Sequence, residues 1–357
     1  MHLTLFVPDL LWPDVEHTAA FDFPNAQNLA RFLALAESAH SPMDRTASWE
    51  SCLAVLFGFT EKHSPLAVLR SLGDGLPETS RLVCADPVNL DFMQQALVLS
   101  PIPAFSLSSA DAQSLLENLN EEFSGEGHFI TAPGEGNICH WYFVPAVDTV
   151  RLPDLAACSR LAGRRIDADE TRELLGREGL SWINRIQMCL NQHPVNQKRE
   201  AAGLPLINSL WPWGAGSLDQ HADTHFSAAS GHAALLRGLC QVTRTPLTLP
   251  SKFESGSGHR LVVALDLATA IEQDDLAGWQ SAITVLITDW IEPALAALSD
   301  TKGVLQSLTL ISPNAHVEHR WSLHRTHKAL RHNTLQRWLG MTRKIPPLSA
   351  LVRSWSA

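Results

Sequence analysis

Apolar positions recur along this chain in two periods, and the changes of period mark its elements. His2 to Pro8 is a short, almost continuous apolar run, the pattern of a buried strand. From Asn25 to Ala39 the apolar residues Leu29, Phe32, Leu33 and Ala36 fall at helical spacing, so a strand followed by a helix opens the chain. Trp49 to Phe57 predicts a second helix closed by Gly58. Ser80 to Ala85 predicts a strand halted at Asp86-Pro87, since a residue before proline is held extended. A helix is expected over Ser109 to Phe123, capped by Ser108 or Ser109, then Gly-rich turns over Gly125 to Gly136, then a strand from His140 to Val144.

Residues 145–178 carry Pro145, Pro153, Gly163 and Gly176, with Gly179 just beyond, in a charged stretch that reads as an irregular connector. From Arg260 strands and helices alternate again: a strand at Leu261 to Leu265, a long helix between Asp275 and Leu298, and strands at Leu305 to Ile311 and His316 to Leu323 around a Pro313-Asn314 turn. This is an α/β pattern. It divides into an N-terminal α/β part (1–144), the connector (145–178), a second α/β part completing the core (179–323) and a tail (324–357).

A length of 357 residues with 45% hydrophobic content allows a large buried core in one elaborated domain or two modest ones. The most apolar window, Ile283 to Leu298, is interrupted by Asp289, Glu292 and Pro293, so no membrane span is expected. Met1 to Leu11 lacks the basic and small-residue features of a signal peptide, which points to the cytoplasm. Six scattered cysteines without a C-x-x-C read as buried thiols. The net charge of −10 is uneven: eight basic residues and no acidic one follow Glu318. An acidic body argues against general nucleic-acid binding, whereas the tail, with Leu323, Leu330 and Trp338 among His324, Arg325, Lys328, Arg331 and Arg337, keeps a local version open.

The densest chemistry lies between Ile183 and Gly216. Pro194 suits the first turn of a helix that Gly203 and Pro205 would close, and on it Asn196 and Arg199 share a face. Arg199 offers a planar fork suited to a carboxylate or phosphate. Leu206 to Trp213 predicts a strand running into Gly214-Ala215-Gly216, where glycines permit close backbone approach to a ligand. The same residues also suit a purely structural role, with His193, Asn196 and Asn208 satisfying buried backbone groups and Trp211 and Trp213 filling core.

HPVNQKREAAGLPLINSLWPWGAG, from His193 to Gly216 and preceded by Ile186-Gln187-Met188, resembles the signature of the RpfE-type regulatory proteins. A shorter form of it is similar to a segment of the archaeal-type cofactor-independent phosphoglycerate mutases. Weaker echoes are Leu10-Leu11-Trp12-Pro13, Phe57-Gly58, Ala85-Asp86-Pro87-Val88 and Arg237-Gly238. The resemblance implies an alkaline-phosphatase-like mixed sheet flanked by helices, in degenerate form. It also implies a ligand pocket of His193, Asn196, Arg199, Asn208, Trp211, Trp213, Gly214, Gly216 and Asp86 for a small phosphorylated or carboxylated molecule. The mutases hold two divalent metals by Asp and His and use a serine as phosphoryl acceptor. Here the first strand ends in Pro8-Asp9-Leu10 where the mutases have Asp-Gly, and Trp213 stands where their motif has Arg. Cys84, Asn89 and Arg185 likewise replace the Arg, His and Glu of the regulatory signature. A regulatory pseudoenzyme without metal-dependent mutase activity, needing no cofactor, is the expectation.

Two alternatives stand beside it. An active metal-dependent phosphotransferase or phosphatase would need displaced ligands, for which His221, Asp223, His225 and His232 are the one compact group, three of them sharing a side if extended. A nucleic-acid-binding regulator would act through the tail. No G-x-S-x-G elbow supports a serine hydrolase.

Overall fold

The computed structural model describes residues 1–14, 16–60, 64–79, 81–93, 96–147, 150, 154–218, 222–249, 252–300, 302–326 and 345–356. In chain order the elements are β1 (His2–Phe6), α1 (Ala26–Leu35), β2 (Glu37–Pro42), α2 (Trp49–Leu56), α3 (Leu66–Gly73), β3 (Leu82–Met93), β4 (Ala96–Pro101), α4 (Ser109–Glu122), β5 (Gly127–Thr131), β6 (Trp141–Pro145), the short α5 (Cys158–Leu161), β7 (Arg165–Asp167), α6 (Ala168–Leu190), α7 (Pro194–Ala201), β8 (Ser209–Gly216), β9 (Ala228–Ser230), α8 (Ala234–Thr243), β10 (Leu247–Thr248), β11 (His259–Val263), α9 (Asp266–Glu272), α10 (Leu276–Leu286), α11 (Glu292–Ser299), β12 (Ser307–Pro313), β13 (Val317–His324) and α12 (Leu348–Ser356). They build two compact units, each made from separated pieces of chain: residues 1–43, 225–232 and 245–357 form the first, 44–224 and 233–244 the second.

The first unit holds a mixed sheet in the order β10-β9-β11-β1-β12-β13-β2, parallel from β10 to β12 and antiparallel beyond. Its centre is β1, in register with β11 on one side and β12 on the other, and its apolar run is buried as central parallel strands require. Leu29, Phe32 and Leu33 of α1 cover one part of the core. Leu276 to Ser299 is a single helical run, long and apolar enough to cross a membrane by length and composition, with one wide π-type turn at Ile287–Ile291 before Pro293. Its stripe of Ile283, Leu286, Ile287, Ile291, Ala294 and Leu298 recurs every three or four residues and is buried in the core of this unit. Trp279 anchors it: the ring meets Trp12, Phe21 and Phe23 edge-on at 5.8, 6.1 and 5.8 Å, and its indole N–H donates to the Asp9 carbonyl at 3.2 Å.

The second unit holds an antiparallel sheet, β5-β6-β3-β4-β7, with β8 also pairing β3. The strand expected to stop at Ala85 runs on to Met93. It passes Pro87 because β4 takes up the ladder only from Val88, so the missing N–H falls where β4 has no partner for it. Gly127 to Thr131, expected as turn, is β5. The expected connector contains α5, β7 and the start of α6, whose first turn is capped by Asp167 accepting from the Asp169 and Glu170 amides. Gly176, at φ +55°, kinks α6. Helices α3 and α8 cross at backbone contact through Gly73 and Gly238, where any Cβ would run into the facing carbonyl of Ala234 or Leu69.

Candidate functional site

All nine expected site residues lie in the second unit. His193 caps α7, its Nδ1 accepting from the Val195 amide at 3.2 Å, with Pro194 opening the helix. Asn196 donates to the Leu190 and Ile207 carbonyls and accepts from the Ile207 amide, each at 2.9 Å. Arg199 gives Nε to the Pro205 carbonyl at 2.7 Å, Nη1 to the Ser106 carbonyl at 2.5 Å and Nη2 to Ser106 Oγ at 3.2 Å. Burial lowers its pKa. Asn208 brackets Leu90 of β3, accepting from its amide at 2.7 Å and donating to its carbonyl at 2.9 Å. The Trp211 indole donates to the Ala156 carbonyl at 2.8 Å. Gly214, at φ +71°, and Gly216 bring β8 against Leu66 and Pro65 at the start of α3. Of the nine, Asp86 and Trp213 meet through their side chains, the indole N–H reaching Asp86 Oδ2 at 2.8 Å.

That contact opens onto a buried polar network. Arg70 of α3 and Asp74, the residue that ends that helix, stand one turn apart. Arg70 makes a two-pronged pair with Asp86, Nη1 and Nη2 each 2.7 Å from a carboxylate oxygen, and Nε donates to Tyr142 Oη at 3.0 Å. Its guanidinium carbon lies 4.8 Å from the Tyr142 ring centre and 5.0 Å from that of Trp213. Burial alone would lower its pKa, but Asp86 drives it well above the ordinary value. Tyr142 Oη donates to Asp74 Oδ2 at 2.6 Å, and burial raises that phenol well above its usual range.

Asp74 is the second focus. Its side chain is 0% exposed, yet it is bracketed by His140 Nδ1 at 2.9 Å and Arg237 Nη2 at 3.5 Å, side chains that keep 32% and 36% exposure. Burial pushes the Asp74 carboxyl up, while the His140 and Tyr142 hydrogen bonds and the Arg70 charge outweigh it and hold the pKa low. Arg237 also caps α3, donating Nε to the Gly73 carbonyl at 2.6 Å. Sequence reasoning noted Arg237-Gly238 and Asp86 but missed Arg70, Asp74 and His140. A charged pair four apart in the apolar run Leu66 to Asp74 was the available signal.

Among the described residues no three His, Cys, Asp or Glu side chains gather as metal ligands would. His221 lies outside the described residues. Asp223 is exposed and accepts from the Thr224 amide, His225 packs edge-on to His259, and His232 is exposed. At the end of β1, Asp9 adopts φ +57°, and the Leu10 amide donates to Ser312 Oγ at 3.1 Å. Asn89 donates to the Leu206 carbonyl, and Arg185 pairs with Glu126 at 2.7 Å while stacking on Phe123. Of the tail, Lys328, Leu330, Arg331, Arg337, Trp338, Arg343 and Lys344 lie outside the described residues. Arg320 pairs with Glu318, Arg325 donates to the Ala297 and Asp300 carbonyls, and Arg353 faces Glu16.

The class that these units define is mixed α/β, strands and flanking helices in each, as the sequence pattern expects. No protein-family model matches the chain, and no curated protein matches it. Among solved structures it is similar to the cofactor-independent phosphoglycerate mutase of Thermoplasma acidophilum, at 15% identity and a TM-score of 0.38 over 91% of this chain and 90% of that one. It is also similar to the PH0037 protein of Pyrococcus horikoshii, at 11% identity and a TM-score of 0.42 over 90% and 87%. These are distant likenesses of build, and neither speaks to activity.

Proposed function

We propose that this protein is a regulatory, small-anion-binding protein of phosphoglycerate-mutase-like and alkaline-phosphatase-like descent, acting in the cytoplasm, with His140 and Arg237 as the anion receptor. The observation that carries the reading is the buried Asp74 carboxylate holding two partly exposed basic side chains together. The Asp74 contact holds His140 through Nδ1–H, so that on protonation Nε2 carries a second N–H that can donate to an anion. A basic pair fixed from behind loses little side-chain entropy on binding a phosphate or carboxylate. Asp9-Leu10 and Trp213, where the mutases have Gly after the Asp and Arg in the motif, support binding without mutase turnover.

For the signature segment we propose a structural role: Arg199, Asn196 and Asn208 tie α7, the turn before β8 and β3 into one piece, and so present Trp213 to Asp86. The test is calorimetric titration with inorganic phosphate, a phosphoglycerate and citrate. Micromolar to millimolar binding that falls at least tenfold in both Arg237→Gln and His140→Gln, each shown by circular dichroism to be folded at the temperature of titration, is expected. No binding by the wild type, or equal binding by the variants, defeats the receptor. Metal-dependent mutase turnover defeats the regulatory reading.

A further inference from the structure

In the first unit the edge strand β2 pairs only with β13 among the described residues, and all six of its residues are exposed. Side-chain burial therefore contributes little to holding it. A side-chain hydrogen bond to β13 lies at the cross-strand pair His40 and His319, whose Nδ1 atoms are 2.8 Å apart. Such a bond needs one ring with a proton on Nδ1 and the other with a bare lone pair there. Two imidazolium rings cannot make it, and at that distance they repel.

His319 cannot turn away to relieve the clash. It is buried, and its ring lies flat against Trp321, centres 5.3 Å apart and planes 8° apart. Burial, with His40 beside it, lowers the His319 pKa to about 4. Among the described residues no counter-charge faces it: its neighbour on β12 is Ser312, the one ionisable side chain of α1, Arg31, is exposed, and Glu318 and Arg320 alternate to the other face of β13 and pair with each other.

We propose that the His40 and His319 pair is an acid-opened latch that releases β2 and uncovers the edge of β13. The sign follows from linkage. A histidine whose folded pKa is depressed contributes stability that is complete above its unfolded value near 6.5, and lost as pH falls toward the folded value. With the folded value at about 4, the opening equilibrium of β2 moves by about 80-fold between pH 6.5 and 4, of which about 15-fold is reached by pH 5. The uncovered β13 edge is then a row of unpaired backbone groups open to another strand.

Hydrogen exchange of the full chain, read by mass spectrometry over residues 37–42 and corrected for intrinsic rates, tests this. Protection of β2 is expected to fall about 20-fold from pH 7 to pH 5 while β1 keeps its own. His319→Phe, which keeps the stack on Trp321 without a titrating group, is expected to show pH-independent protection there. Constant β2 protection in the wild type, or an unchanged pH dependence in His319→Phe, overturns the latch. Should that variant fail to fold, a wild-type imidazole titration decides: a His319 pKa near 4 to 5 supports the latch, and one at or above 6.5 overturns it.

Discussion

The two units solve burial in opposite ways. At the heart of the first, Trp279 sits in a box of Trp12, Phe21 and Phe23 and spends its single donor on a backbone carbonyl. At the heart of the second, a guanidinium, two carboxylates, a phenol and an imidazole are bonded to one another between α3, β3, β6 and β8. An apolar centre tolerates loss of a part in proportion to the volume removed, whereas a paired polar centre fails when one partner goes, because the other is left charged and buried. The contrast also separates function: a fully apolar box has nothing to offer a ligand, while the polar centre reaches solvent through His140 and Arg237.

The largest expected effect follows from that asymmetry. Arg70→Ala leaves the Asp86 carboxylate without its paired cation and is expected to cost about 3–5 kcal/mol. Asp86→Leu with Arg70→Met, an apolar pair of similar volume, is expected to recover most of it in urea denaturation. If the double variant is no better than the single one, the network is more than a satisfied pair. In the first unit Trp279→Ala is expected to cost a comparable 3–5 kcal/mol but Trp279→Phe clearly less, a graded response that the polar centre lacks.

Arg199 comes next. Its three donors end on Ser106 and Pro205, so Arg199→Ala is expected to cost about 2–4 kcal/mol with or without anions present. Arg199→Lys retains charge but only one of the bonds and is expected to lose about 1–2 kcal/mol. Weaker anion binding in Arg199→Lys at unchanged stability would instead favour a ligand role for the signature segment.

These residues also show what the chain made legible. Strands β1, β11 and β12 announce themselves by apolar runs, and α7 by Pro194 and Gly203, because central strands and helix ends have local causes. Strand β2, Glu-Ser-Ala-His-Ser-Pro, has none: every residue is exposed, and it exists through its ladder with β13. Helix α3 hides for the opposite reason. It is buried on nearly every side, so its apolar residues show no period, and with it Arg70 and Asp74 went unread. The signature from His193 to Gly216 was visible as a dense segment, but which carbonyl each donor reaches depends on Ser106 and Leu90, about a hundred residues away.

Acid is expected to loosen the units in different windows. In the first, stability tied to His319 is lost as pH falls from about 6.5 to about 4. In the second, Asp74 has a depressed pKa, so its contribution is present above the unfolded value of 3.8 and lost only as pH falls below it. Asp74→Asn is expected to flatten the second unit's loss below pH 4 and to leave exchange in β2 untouched. Hydrogen exchange resolved by peptide distinguishes the two.

The smallest expected effect concerns Glu50, and its sign is reversed. This carboxyl, in the first turn of α2, is buried and accepts from Ser159 Oγ at 2.7 Å. Burial raises its pKa, with the Ser48 and Ser159 hydrogen bonds and the Arg70 charge only partly opposing it. An acid with a raised folded-state pKa binds more protons folded than unfolded, so stability falls as pH rises above about 4.5. Glu50→Gln keeps the shape and an acceptor for Ser159 while removing the charge. It is therefore expected to be neutral near pH 4 and to gain up to about 1 kcal/mol at pH 7, read from the midpoint of urea unfolding. A loss at both pH values would mean that the Glu50 carboxylate is itself a needed partner in the polar centre, and would extend that centre to α2.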